Sequence, residues 1–145
     1  VAKRLKAACG GELIEVKLKE GHSSPVAYFL GLFRAIKHET DPVEPAAIDV
    51  SAADVIVIGT PVWSRKATPA ITSAVDALQG CSGKKAVLFA TCGSAAGNAL
   101  PGLADALARK GMTVTGQVVF TRQDLGKDER MNALAECVMQ AGRAL

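Results

Sequence analysis

Short runs of β-branched and aliphatic residues alternate with segments of helical apolar period along almost the whole of this chain. That alternation is what a parallel sheet with crossover helices on both faces produces. Ala53 to Gly59 (ADVIVIG) and Lys84 to Thr91 (KKAVLFAT) are continuous apolar runs, as strands covered on both faces require, and Met112 to Phe120 (MTVTGQVVF) is a third, more polar one. Between them Ile71, Ala74, Val75 and Leu78 mark one helical face. It opens at Thr68-Pro69, an N-cap followed by proline at the first helical position, and closes at Gly80. Leu100, Leu103, Ala104 and Leu107 repeat the pattern before Gly111, and Met131, Leu134, Ala135 and Val138 repeat it near the end.

The first forty residues are less regular. Val1, Leu5, Ala8 and Cys9 mark a helix face that stops at Gly10-Gly11, and the alternation of Ile14, Val16 and Leu18 with Glu15 and Lys17 predicts an edge strand over 12–18. Phe29, Leu32, Phe33 and Ile36 predict a helix over 26–38, followed by a Pro-bearing connection from Asp41 to Pro45. The pattern therefore starts on a helix. A crossover helix needs a strand to cross from, so a first strand is expected upstream that this chain lacks. Either the sequence is cut short, or the chain begins here; in the second case the edge strand 12–18 has to close onto 54–59 or onto another chain, and a homodimer or a rearranged sheet is expected.

Size and composition suit one soluble domain spanning 1–145: 49% of residues are hydrophobic and 21% charged. The aliphatic runs are strand-length, far below the ~20 residues of a membrane span. Val1 to Cys9 has no apolar stretch like that of a signal peptide. Cys9, Cys81, Cys92 and Cys137 form no C-x-x-C pair, which argues against a zinc cage or disulfide scaffold and for a reducing cytoplasm. The net charge of +3 is spread along the chain without interleaved aromatics, which argues against nucleic acid as a partner.

In doubly wound sheets ligands bind beyond the carboxyl ends of the strands. Two loops qualify. The first is Gly59-Thr60-Pro61-Val62-Trp63-Ser64, which carries the single tryptophan; the second is Thr91-Cys92-Gly93-Ser94-Ala95-Ala96-Gly97-Asn98, whose small residues leave main-chain N–H groups open to close approach. Trp63 alone is also compatible with a core or lid position, the second loop with a plain strand-to-helix turn, and Cys92 with a small loop residue rather than a reactive thiol. Cys9 and Cys137 read as helix-face packing residues. Arg65 and Lys66 precede a helix N-terminus, where positive charge is unfavourable by ~0.3 to 1 kcal/mol. They are either a solvated pair or a lure for an anionic or phosphate-bearing partner.

In this order and spacing the strand ending in GTPVW, the A-T-P-A-I helix start, KKAVLFATCG with its G-x-x-x-G, and LADALARKGMTVTGQVVF resemble the flavodoxin family, in particular the flavodoxin-like oxidoreductases. The resemblance covers Val1 to about Phe120 and implies a three-layer doubly wound sheet and an FMN whose flat ring lies between the two loops. On that carry-over Trp63 stacks on the ring, Thr60, Pro61, Val62, Trp63 and Ser64 contact its N5 edge through the main chain, and Thr91, Cys92, Gly93 and Gly97 approach its pyrimidine end. It also implies that V-A-K-R-L-K-A-A-C-G-G is the first helix, with the phosphate-binding loop and first strand absent from this chain. Charge-assisted hydrogen bonds contribute ~1.5 to 3 kcal/mol each, so the loss of that loop weighs against FMN. The implied function is electron transfer or oxidoreduction through FMN, with a redox protein or small-molecule electron acceptor as partner; the mildly basic charge suits a reductase better than a low-potential shuttle. The rival is a cofactor-free module of the same fold that acts through protein partners. No aspartate ends a central strand as a receiver domain requires, and no G-x-G-x-x-G is present for a dinucleotide.

Overall fold

The computed structural model describes residues 1–18, 43–124 and 126–143. In chain order its elements are α1 (Ala2–Cys9), β1 (Lys17–Leu18), β2 (Val43–Glu44), β3 (Ile48–Asp49), β4 (Val55–Trp63), β5 (Lys66–Ala67), α2 (Pro69–Ala77), β6 (Leu78–Gln79), β7 (Lys85–Thr91), α3 (Ala99–Arg109), β8 (Thr113–Phe120) and α4 (Asp128–Arg143). The helix predicted over 26–38 lies outside the described residues.

The principal sheet has the order β5-β4-β7-β8, with β4, β7 and β8 parallel and β5 antiparallel to the end of β4. The run Ala86 to Ala90 is buried throughout, which is why it carries no polar alternation. Successive residues still point to opposite faces. Ala86, Leu88 and Ala90 join Ile56, Val75, Leu100, Leu103 and Leu107 in one core, so α2 and α3 cover that face. Val87 and Phe89 join Val118, Phe120, Leu5, Met131 and Leu134 in the other, so α1 and α4 cover the second face. The result is a three-layer, doubly wound sheet. Cys9 and Cys137 pack against the second core, the role their helix positions predicted.

At the amino ends of the strands, lysines satisfy carbonyls that the helices and turns leave over. Lys84 Nζ donates to the Ser51 and Ala53 carbonyls at 2.6 and 2.9 Å. Lys110 Nζ donates to those of Asp76 and Leu78 at 2.7 and 3.0 Å, and Lys85 Nζ to that of Ala141 at 3.2 Å. A share of the chain's basic charge is thus structural and sits at the end of the sheet opposite the carboxyl ends of its parallel strands.

Three expectations need correction. Within 12–18 only Lys17–Leu18 is extended, and it pairs antiparallel with Val43–Glu44 instead of joining the strand at 54–59. Leu13 and Ile14 are exposed, at 41% and 44%. Alternation supplies a strand with two faces, but a strand persists through its ladder, and the ladder here takes in only Lys17 and Leu18. Next, α2 ends at Ala77 rather than running to Gly80, because Leu78 turns extended and pairs with Ile48. Finally, Gly59 to Trp63 is not a loop, since β4 runs unbroken through Trp63 and only Ser64 lies beyond it.

Leu134 is fully buried, so Leu134→Ala is expected to lower stability by about 2–5 kcal/mol. Leu13→Ala is expected to change it by less than about 0.5 kcal/mol. Urea unfolding of the two variants checks both, and a costly Leu13→Ala would restore the edge strand.

Candidate functional site

The carboxyl ends of the three parallel strands lie level, because Pro61 pairs with Thr91 and Thr91 with Phe120. Beyond Pro61 the chain does not pass directly into a helix. Val62 pairs with Ala67 and Trp63 with Lys66, leaving Ser64 and Arg65 as a two-residue hairpin turn. Both turn residues have positive φ, 49° and 62°. Such turns favour Asn and Gly, and a residue with a side chain held there costs roughly 1–2 kcal/mol. The neighbouring β7–α3 loop holds the turn in place. The Asn98 N–H donates to the Arg65 carbonyl at 2.8 Å. Gly97, itself at φ 56°, lies so close that a Cβ on it would stand 2.4 Å from Arg65 Cβ and 2.7 Å from the Arg65 carbonyl oxygen. Hairpin tip and loop are one joined structure.

Within this frame the sequence-predicted residues divide by role. Thr60 is 1% exposed; its hydroxyl donates to the Pro61 carbonyl at 2.8 Å and accepts the Thr68 N–H at 3.3 Å. That side chain ties β4 to the start of α2. Thr68 stands at the N-cap, as predicted, but makes no side-chain cap bond. Pro61 and Ser64 are exposed, and Val62 and Trp63 half-buried, at the outer end of β4. Thr91 and Cys92 are half-buried, and the Cys92 N–H is taken by the Phe120 carbonyl at 2.9 Å. Gly93 is exposed, and a Cβ on it would meet nothing within 4 Å. Among the described residues, none accepts a hydrogen bond from the N–H groups of residues 93–97. The structure therefore places all nine at the carboxyl ends of β4 and β7 and in the connections that follow, with the Thr60 side chain buried and Val62 packed against the core.

Sequence reading missed Arg65 and Asn98 as parts of the frame. Their contribution is a carbonyl and an amide, which every residue has, so no side-chain signal marks them.

A third segment follows β8. The Asp124 carboxylate accepts the Thr121 hydroxyl at 2.6 Å and the Thr121 N–H at 2.9 Å, with the Arg130 guanidinium at 3.8 Å. These hydrogen bonds, the hydroxyl's first, hold the carboxyl below its ordinary value of 3.8. Asp124 also lines a recess of about 100 Å³ with Val1, Arg4, Phe120, Gly126 and Met131. Ligand cavities run to about 300–1,000 Å³, so this recess is smaller than a typical ligand site.

Residues 1–125 match the family of NADPH-dependent FMN reductases, and the chain belongs to it. FMN is its cofactor. No curated protein matches the chain. Among solved structures, a Bacteroides eggerthii protein is 19% identical, covering 94% of this chain and 87% of its own, with a TM-score of 0.73. A Lactobacillus acidophilus flavoprotein solved in complex with FMN is 21% identical over 86% of this chain and 85% of that one, with a TM-score of 0.61. The two-electron reduced flavodoxin of Megasphaera elsdenii is 20% identical over 85% and 96%, at 0.52. These likenesses establish the flavodoxin-like fold. Among the described residues no helix is long and apolar enough to cross a membrane, and no cluster of side chains is suited to a metal ion.

A carboxyl whose folded pKa is depressed adds stability above its ordinary pKa and loses that contribution as the pH falls through the folded value. For Asp124 the loss lies below pH 3.8. Asp124→Asn is therefore expected to lower the melting temperature at about pH 6 and to converge with the wild type at about pH 2. A gap of unchanged size across that range would remove the Thr121–Asp124 bonds from the account.

Proposed function

We propose that this chain is an FMN-dependent oxidoreductase whose flavin ring lies between the β4–β5 hairpin tip and the β7–α3 loop. The observation that carries the reading is the joined surface itself: Trp63 at the end of β4 stands on one side, and the uncommitted N–H groups of residues 93–97 stand on the other. The residues fit the group. A half-buried indole offers a face for stacking, open main-chain donors suit the carbonyl and ring-nitrogen edge of an isoalloxazine, and Gly93 leaves room for close approach.

Bound FMN supplies hydride acceptance and single-electron transfer, chemistry that no side chain of these loops possesses. Residues 60–66 and 91–98 include no carboxylate and no imidazole. The protein's part is therefore to bind and orient. Trp63 would hold the ring by stacking, the N–H groups of residues 93–97 would bind its polar edge, and Thr60 and Pro61 keep β4 in register with β7. Arg65, exposed at the hairpin tip, places positive charge at the rim of the site and favours a phosphate-bearing or anionic reaction partner. Membership of the NADPH-dependent FMN reductase family supports an oxidoreductase over a pure electron carrier.

Because Trp63 is the only tryptophan, its emission reports directly on the ring. FMN is expected to quench it on binding, and Trp63→Leu to raise the Kd for FMN by about tenfold or more, equivalent to roughly 1.4 kcal/mol. Flavin fluorescence titration measures both proteins. Unquenched emission at saturating FMN, or an unchanged Kd in the variant, would place the ring elsewhere.

A further inference from the structure

We propose that Gly97 and the main-chain amide of Asn98 are positioning elements of the flavin site: a latch that holds the strained Ser64-Arg65 turn, and with it Trp63, at a fixed spacing from the N–H groups of residues 93–97. The inference rests on the ring placement proposed above.

The hairpin cannot hold this geometry by itself. Its ladder is two residue pairs long, Val62 with Ala67 and Trp63 with Lys66, and so short a ribbon is not stable in isolation. Its turn places a serine and an arginine in left-handed backbone, where neither glycine's freedom nor asparagine's local bonding relieves them. Strain of this kind persists only where surrounding structure over-determines it. Two contacts from the β7–α3 loop do so. Asn98 donates its N–H to the Arg65 carbonyl at 2.8 Å, and Gly97 lies against the Arg65 backbone where no side chain fits.

That neighbour is rigid. Asn98 is the residue before α3, whose Ala99, Leu100, Leu103 and Leu107 are buried against the sheet. Although Asn98 occupies the N-cap, its side chain makes no cap bond, so what it contributes here is the amide. The packing of α3 is thereby transmitted through one hydrogen bond and one van der Waals contact to the strand end that carries Trp63. Any movement of the 93–97 loop must move the hairpin tip as well, so the two walls of the ring site keep their separation.

The test compares Gly97→Ala with Gly83→Ala. Gly83 also has positive φ, 73°, lies at the opposite end of the sheet, and has open space where its Cβ would go, so its variant carries the same backbone penalty without touching the latch. FMN titrations followed by Trp63 quenching are expected to show the Kd of Gly97→Ala raised about tenfold or more, with altered visible circular dichroism of the bound flavin, and that of Gly83→Ala within about twofold of wild type. A Gly97→Ala protein with wild-type Kd and flavin spectrum overturns the latch alone. Wild-type protein that binds FMN without quenching Trp63 overturns the ring placement and the latch with it. Should Gly97→Ala fail to fold, hydrogen exchange on the wild type decides: FMN is expected to slow exchange of the Asn98 amide by about tenfold or more, and an unchanged rate contradicts the latch.

Discussion

Between Val55 and Pro61 every residue of β4 pairs in parallel with β7, from Val55 opposite Lys85 to Pro61 opposite Thr91. The pairing is held by burial on both faces. Ala86, Leu88 and Ala90 face α2 and α3, while Val87 and Phe89 face α1 and α4, so a slip of one residue would send each set into the wrong core. This register decides where the strands end. Thr91 and Pro61 finish side by side, and the hairpin tip and the small-residue loop that continue from them are brought within main-chain hydrogen-bonding distance. The geometry of the site is an extension of the sheet's register beyond its last parallel pair.

Polar groups are divided between the two ends of that sheet. At the amino end, three lysines are engaged with carbonyls, so their charge serves the frame. At the carboxyl end the main chain itself carries the available donors, and side-chain hydroxyls such as those of Thr60 and Thr121 are occupied in holding β4 to α2 and Asp124 to the β8–α4 connection. On the ring placement proposed above, the flavin site depends on backbone position more than on particular side chains, with Trp63 the exception. Small displacements of the loops then change binding without removing any recognisable functional group.

Much of the architecture was legible because periodicity reports burial directly. The continuous apolar run from Ala86 to Ala90 could only be a doubly covered strand, and Leu100, Leu103 and Leu107 could only share a helical face. The same signal misled at 12–18, where Ile14, Val16 and Leu18 alternate as a strand would; alternation says nothing of whether a partner strand is in reach. The strand ends that carry the candidate site were legible from topology, and Trp63 and Gly93 stand in the two segments proposed for the ring. The construction of the site was not legible. Gly59, Thr60 and Pro61 read as the start of a loop, yet β4 continues through them because β7 is there to pair with it. The closing turn uses Ser64 and Arg65 in place of the expected Asn and Gly because its support comes from Gly97 and Asn98, more than thirty residues later in the chain. Long-range main-chain contacts of this kind leave no trace in residue type.

The ring placement is tested most directly by mapping amide chemical shifts as FMN is added to isotopically labelled protein. The account predicts the largest changes at Trp63, Ser64 and residues 93–97, with the amides around Lys84 and Lys110 at the opposite end of the sheet undisturbed. Changes centred on that opposite end, or confined to the recess beside Asp124, would contradict it.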